Sequence, residues 1–270
     1  MMDTYAARLK ATAGPPRAGF WRRWGATLID AVVVLFPFQI VAAILFATTA
    51  GTVQMYSGVL FSACAPVKTV PQSLNPPPPH DSNFARVCRV SFFGAPTGAV
   101  LTVGRFTREG NTTTTVTQGY MLDADGKPIQ GTSIDAIAWL SFLVYLVGMV
   151  WKSGRTLGAR VVGVRVVDTA KPGTAEVPVS KAIIRYLTMM IGFVPGFVVM
   201  IYRYAVSGGS ADAMFTSDFF WWLICAGSLG AVWTVVLIFE IAAKKDPVYD
   251  RLAGTAVLQN RPVEPTPASQ

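Results

Sequence analysis

Four long apolar stretches alternate with polar segments along the chain. They cover residues 25–50, 134–151, 182–202 and 219–243. A helix needs roughly 20 predominantly apolar residues to cross about 30 Å of hydrocarbon, and each stretch meets or approaches that length. Amphipathic indole rings favour the headgroup layer, and six tryptophans lie at or near the ends of the stretches: Trp21, Trp24, Trp139, Trp151, Trp221 and Trp222. The pattern predicts four transmembrane helices.

The composition agrees with this interpretation. The chain is 52% hydrophobic and only 14% charged, whereas soluble domains average about 25% charged residues. The predicted fold class is an all-α membrane protein, a four-helix transmembrane bundle, with a small β-rich insert between helices 1 and 2. The first apolar stretch is longer than a signal peptide requires, so we expect an uncleaved helix.

The distribution of lysine and arginine predicts the orientation. The N-terminal 25 residues carry five, residues 152–181 carry six and residues 244–270 carry four, while residues 204–218 carry none. By the positive-inside rule, the N-tail (1–24), the loop 152–181 and the C-tail (244–270) are cytoplasmic. The insert 51–133 and the loop 203–218 then lie outside. The net charge of +8 follows from this orientation and from anionic headgroups, so the lipid bilayer is the expected partner and nucleic acid is not.

The insert, residues 51–133, has the alternation of a small β-sheet. Strand-like runs cover residues 86–93, 99–107 and 112–121 and are separated by Gly, Pro and Asn turns. We expect three or four strands. Cys64 and Cys88 are the only cysteines in the insert, and an exported compartment permits a disulfide between them. The alternative is two buried free thiols.

Charged residues inside the spans are the main functional signal. Asp30, Arg185 and Glu240 each lie a few residues from the predicted cytoplasmic end of a helix, which places them in one layer. Arg23 precedes Asp30 by two helical turns and faces the same side. Charges in a membrane are costly and usually pair inside the bundle. The layer is therefore a structural salt-bridge cluster or an ion- or proton-handling site, and both interpretations stay open.

Two local patterns concern the third span and the loop before it. Pro195 lies inside the third apolar stretch and is expected to kink the helix. In the loop, residues 160–168 form a β-branched run, residues 171–173 form a turn, and residues 176–179 return toward the third span. The turn between them predicts a strand–turn–strand unit.

Three segments resemble signatures of the RDD family of bacterial membrane proteins, named for one arginine and two aspartates. The first is RWGATLID, from Arg23 to Asp30; the second is GRTLGARVVGVRVVD, from Gly154 to Asp168; the third is DRLAGT, from Asp250 to Thr255. The resemblance covers roughly residues 18–50 and 139–258. It makes Arg23, Asp30 and Asp250 the three name-giving positions. Tyr249 departs from the histidine that often precedes the last aspartate, and the insert is not a regular part of the family.

The resemblance implies an architecture and, less specifically, an activity. It implies a multi-pass protein of the bacterial cell (inner) membrane, with transport of ions, protons or small ligands suspected. The candidate site comprises Arg23, Asp30, Arg185, Glu240 and Asp250, with Asp250 near enough to pair with Arg23 or with an arginine of the 152–181 loop. Four helices enclose little space, so a homo-oligomer or larger membrane complex is expected.

The sequence offers little support for an enzyme. No nucleophile motif, phosphate loop or metal-ligand spacing occurs, so we expect no enzymatic activity, no cofactor and no metal. The alternative to transport is a non-catalytic scaffold or accessory subunit that binds a partner through the external insert.

Overall fold

The computed structural model describes residues 16–71, 74–110, 112–171, 173–174, 176–207 and 217–259. Within that part of the chain, four helical segments are long and apolar enough to cross a membrane. They are α1 (Phe20–Thr48), α2 (Asp135–Ser153), the segment Val179–Ser207 and α6 (Ser217–Ala242). Each of the four predicted spans corresponds to one of these helical segments, with ends that differ by a few residues. The outer parts of both predicted tails and most of the loop 203–218 lie outside the described residues.

The third of these segments is interrupted. It consists of α4 (Val179–Met189), a short 3-10 turn (Ile191–Phe193) and α5 (Val194–Ser207). Pro195 is the second residue of α5, in the first turn, where its missing N–H leaves no helical hydrogen bond unmade. The interruption therefore lies just before the proline, as the sequence predicts. Gly192 in the 3-10 turn has no room for a Cβ, because the indole of Trp233 occupies that space.

Strands account for enough of the chain to change the predicted class. The structure is 49% helix and 24% strand, so the all-α label is wrong, although the β-rich region lies between the first two spanning helices as predicted. The error has two sources. The all-α label left out the four-stranded sheet of the insert, and it left out the strand after α2, which pairs with the C-terminal segment.

The insert contains an antiparallel four-stranded sheet in the order β2-β3-β4-β5. The strands are β2 (Phe61–Pro66), β3 (Phe84–Phe92), β4 (Ala95–Glu109) and β5 (Thr112–Met121). Alternate residues of β4 point into a small core, which explains the period of two in the sequence. The buried side chains of that core are Leu74, Ala85, Ala99, Leu101, Val103, Tyr120 and Leu122.

A second, two-stranded sheet joins the two ends of the insert. Strand β1 (Val53–Gln54) pairs in parallel with β6 (Thr132–Ser133). The buried amide of Gln54 donates to the carbonyls of Gly51 and Leu122 and accepts from the N–H of Ala99. One side chain thus connects the end of α1 to the four-stranded sheet.

The loop after α2 folds differently from the prediction. Helix α3 (Leu157–Val161) follows α2, and strand β7 (Val164–Asp168) then pairs antiparallel with β8 (Thr255–Gln259), which follows α7 (Val248–Ala253). The predicted partner, residues 176–179, forms no strand. Pro178 lacks a backbone N–H, and residues 255–259 supply an uninterrupted run whose first three side chains are buried.

The chain divides into two compact units. One comprises Met1–Val32, Leu143–Gly192 and Ala231–Gln270, and the other comprises Val33–Phe142 and Phe193–Gly230. The charged residues singled out in the sequence lie in the first unit, and the insert lies in the second.

A disulfide crosses β2 and β3. Cys64 and Cys88 are direct partners in the strand register and are bonded, so the predicted disulfide is confirmed and the alternative of two free thiols is wrong. Cys225 in α6 is free and exposed.

Reduction of this disulfide is expected to destabilise the insert. Cross-linking a loop of this length contributes about 3.5 kcal/mol by the chain-entropy estimate. Cys64→Ser with Cys88→Ser should therefore lower the unfolding temperature of the insert, measured by circular dichroism in the β region. The matched control is Cys225→Ser, which should leave it unchanged. An unchanged transition in the double variant would contradict a stabilising role.

Candidate functional site

Asp250 is the centre of a buried ion cluster. Its side chain is fully buried, with Arg23 Nη1 2.7 Å from Oδ2 and Arg185 Nη1 paired with Oδ1. Thr255 Oγ1 also donates to Oδ1 at 2.8 Å. The predicted pairing of Asp250 with Arg23 is confirmed, and Arg185 is its second partner.

The local sequence explains how Asp250 and Thr255 meet. Asp250 lies in the first turn of the six-residue helix α7, which ends at Gly254 in the left-handed conformation (φ 63°). This conformation suits glycine and reverses the chain into β8. Thr255, the first residue of β8, therefore comes back to the carboxylate of Asp250.

Tyr249 contacts both arginines. Its ring lies 5.0 Å from the guanidinium carbon of Arg185, and its hydroxyl accepts a hydrogen bond from Arg23 Nη1 at 3.4 Å. A cation over an aromatic face is attracted by the ring quadrupole. In the sequence, Tyr249 stands out only as a departure from the RDD pattern. The structure gives it a packing role that a histidine would fill differently.

Asp30 lies in the same unit but makes no ion pair with either arginine. It is 2% exposed, and its carboxylate accepts hydrogen bonds from Tyr145 Oη (2.8 Å), Thr156 Oγ1 (2.5 Å) and the N–H of Gly158 (2.7 Å). These three partners are neutral. Arg23 and Arg185 line the same cavity as Asp30 but form no direct ion pair with it.

The Gly154–Gly158 segment is shaped around Asp30. Gly154 has a positive φ of 63°, which turns the chain after α2. Thr156 caps α3 by accepting the N–H of Ala159, while its hydroxyl hydrogen goes to Asp30. Gly158 has no room for a Cβ, because the carbonyl oxygen of Ala26 occupies that space. Gly154 makes the turn, Thr156 caps α3, and Gly158 permits the close approach of Ala26. These three roles explain the Gly-x-Thr-x-Gly spacing.

A small cavity is lined both by arginines of the Asp250 cluster and by Asp30. Its volume is about 80 Å³, and its charged lining residues are Arg23, Asp30 and Arg185. Two buried guanidinium nitrogens, Arg23 Nη2 and Arg185 Nε, have no hydrogen-bond partner among the described residues. Buried N–H groups are nearly always satisfied by protein or water. A cavity of this size has room for a few water molecules.

Glu240 does not belong to this cluster. Its carboxylate binds Arg251 Nη2 at 2.6 Å and the N–H of Val248 at 2.8 Å. It therefore caps the start of α7, where a negative charge is favoured by the helix dipole. The single predicted layer divides into the Asp250 cluster, the Asp30 site and this cap.

Another ion pair that the sequence did not predict joins Lys181 and Asp168. Lys181 Nζ lies 2.5 Å from Asp168 Oδ1 and connects the end of β7 to the first turn of α4. The hydrogen bond from Lys181 lowers the pKa of the Asp168 carboxyl. Both residues looked like ordinary loop charges in the sequence.

Comparison of the chain with protein-family models, with curated proteins and with solved structures gives no match.

Removing the charge of Asp250 is expected to destabilise the protein strongly. Asp250→Asn would leave two buried guanidinium groups without a counter-charge, and breaking a buried pair in this way costs about 3–5 kcal/mol. The measurement is the free energy of unfolding in detergent micelles.

Asp246→Asn is the matched control. Asp246 pairs with Arg17, whose side chain is 37% exposed, and exposed pairs contribute about 0–1 kcal/mol. Equal, small effects of the two substitutions would mean that the Asp250 cluster does not stabilise the fold.

Proposed function

We propose that the chain is an RDD-type protein of the bacterial inner membrane that transports protons or small ions, with Asp30 as the proton- or cation-binding group. In this proposal both termini and the 152–181 loop face the cytoplasm, as the distribution of lysine and arginine favours. The protein carries no enzymatic activity.

The cavity beside Asp30 is the observation that carries the proposal. Ionisable residues inside a spanning segment are rare and mark ion pathways and proton relays. Here two guanidinium groups with unpartnered N–H atoms and one carboxylate line the same space. These groups would hold water, and water next to a buried carboxylate is the medium through which protons move.

The size of the cavity favours protons and small ions over larger ligands. About 80 Å³ is well below the roughly 300–1,000 Å³ of sites for drug-sized molecules. Small-ligand transport, which the RDD resemblance also implies, therefore has less support.

The contacts also favour Asp30 over Asp250 as the group whose charge changes. Arginine stays protonated in proteins, so a change of charge must fall on a carboxylate. Protonation of Asp250 would leave two buried arginines uncompensated, whereas the partners of Asp30 are neutral. Asp30 can lose its charge without breaking an ion pair.

Transport in vesicles tests the proposal. Everted vesicles containing the protein receive a Na⁺ or K⁺ gradient, and a pH-sensitive dye reports proton movement. Asp30→Asn is expected to reduce the rate by about 100-fold, the range for removal of a side chain that transfers a proton. The matched control is Glu240→Gln, which alters a carboxylate outside the cavity lining and should keep the activity.

Two results would contradict the proposal. One is proton movement that survives Asp30→Asn. The other is wild-type protein that moves no protons under either gradient. Size-exclusion chromatography of each variant in detergent separates loss of transport from loss of folding.

A second candidate function is a scaffold or accessory subunit that binds a partner through the insert. The observation in its favour is strand β2 at the edge of the four-stranded sheet, whose six residues are all exposed. An open sheet edge can accept a strand from another protein.

Co-purification distinguishes this function from transport. Replacing residues 59–129 by a short glycine–serine linker keeps both strands of the β1–β6 pair. For a scaffold, this variant should lose a partner that the wild-type protein captures, while any proton movement stays. Identical co-purifying proteins in both samples would exclude the insert as the binding element.

A further inference from the structure

An exposed aromatic cluster connects α1 to the tip of the β3–β4 hairpin. The ring of Phe36, in α1, lies 5.0 Å from the ring of Phe92 at the end of β3. Phe93, in the turn, is 4.8 Å from Phe92 and 6.4 Å from Phe61 at the start of β2. Phe61 and Phe93 are 62% and 71% exposed, which is unusual for side chains of this size.

The contacts of the insert fix the level of this cluster along α1. The side-chain amide of Gln39 packs against Gly58 and occupies the space that a Cβ at residue 58 would need. The neighbouring N–H of Ser57 donates to Asp135 Oδ1 at 2.7 Å. Gln39 and Asp135 therefore lie at a similar height along the axis of α1. Phe36 precedes Gln39 by about one helical turn, so it lies some 5 Å closer to the N-terminal end of α1.

The length of α2 places that level at the edge of the hydrocarbon. Helix α2 has 19 residues, which gives about 28 Å, close to the thickness of the hydrocarbon core. Its first residue, Asp135, must then lie at the membrane edge. The β1–β6 pair holds the end of α1 and the start of α2 on the same side. Phe36 is accordingly inside the bilayer.

The surface of α1 gives a second estimate of the same boundary. Beyond Gln39 the helix still exposes Ile40, Val41 and Ile44. A continuous exposed apolar helix surface belongs in lipid rather than in water. This estimate places the hydrocarbon edge beyond Gln39, and the aromatic cluster then lies still deeper below it.

We propose that the tip of the β3–β4 hairpin inserts into the bilayer, where Phe61 and Phe93 contact lipid acyl chains. The occupant of this surface is lipid, because the cluster continues the exposed apolar surface of α1 through Phe36. The turn is free of charged residues, with the sequence FFGAP from Phe92 to Pro96. Exposed apolar rings 5–10 Å below the headgroup layer are how peripheral elements bind membranes.

The insertion anchors one end of the sheet only. Strand β4 has 15 residues, so the β4–β5 turn lies up to about 50 Å from the inserted tip. Thr114, near that turn in β5, is exposed and paired with Thr107. It is a matched control position on the same sheet.

Spin labelling in vesicles tests the proposal. A Cys225→Ser background removes the exposed free thiol and keeps the Cys64–Cys88 disulfide. Phe93→Cys, Phe61→Cys and Thr114→Cys are each labelled and reconstituted in phosphatidylethanolamine–phosphatidylglycerol vesicles. Collision with oxygen, which is enriched in lipid, and with a water-soluble nickel chelate is then measured for each label.

We expect oxygen to dominate at positions 93 and 61 and the nickel chelate to dominate at position 114, with a several-fold difference in their ratio. Equal nickel access at 93 and 114 would put the tip in water and overturn the proposal. Low access of both reagents at 93 would mean that protein covers the tip, which also overturns it.

Discussion

The burial of one carboxylate, that of Asp250, is the constraint on which the first unit depends. A buried charge costs several kcal/mol unless it is paired and hydrogen-bonded. Its partners come from the start of α1, from α4 and from the first residue of β8. Three segments that are far apart in the sequence must therefore meet at one point. Because the aspartate lies in a helix of only six residues, these contacts, rather than helix propensity, hold that helix in place.

The Asp30 site follows from this arrangement. When α7 is held by Arg23 and Arg185, β8 is in position to pair with β7. Strand β7 comes shortly after α3, whose cap Thr156 and whose Gly158 N–H bind Asp30. The two arginines of the ion cluster and the Asp30 carboxylate therefore line one small cavity. Its two unpartnered guanidinium nitrogens are acceptable only where water can reach them, so hydration of the cavity is a consequence of the same packing.

The sequence predicted the elements that depend on segment length and on the period of hydrophobic residues. It missed the contacts that depend on which residues of different elements face each other. Span length identified the four helices, and alternation identified β3, β4 and β5 of the insert but not β2. Depth along a helix placed Asp30, Arg185 and Glu240 in one layer, but it contains no information about which residues face each other. The partners of Asp30 are neutral residues that look ordinary in a span, such as Tyr145. The β7–β8 pairing joins residues about 90 apart, and a local strand–turn–strand pattern was the simpler prediction.

The unequal lengths of α1 and α2 require a separate explanation. The two helices have 29 and 19 residues, a difference of about 15 Å along the axis, yet both cross the same bilayer. Tilting accommodates part of such an excess. Near its end α1 has a buried side, with Ala42 and Phe46, and an exposed apolar side, with Ile40, Val41 and Ile44. The insert reaches this part of the helix at Gly58, which packs against Gln39. A helix end with one side against protein and the other against lipid needs the protein to lie at the membrane surface. The proposed insertion of the β3–β4 tip accounts for this end of α1, because it would place the sheet against the bilayer rather than on a free linker.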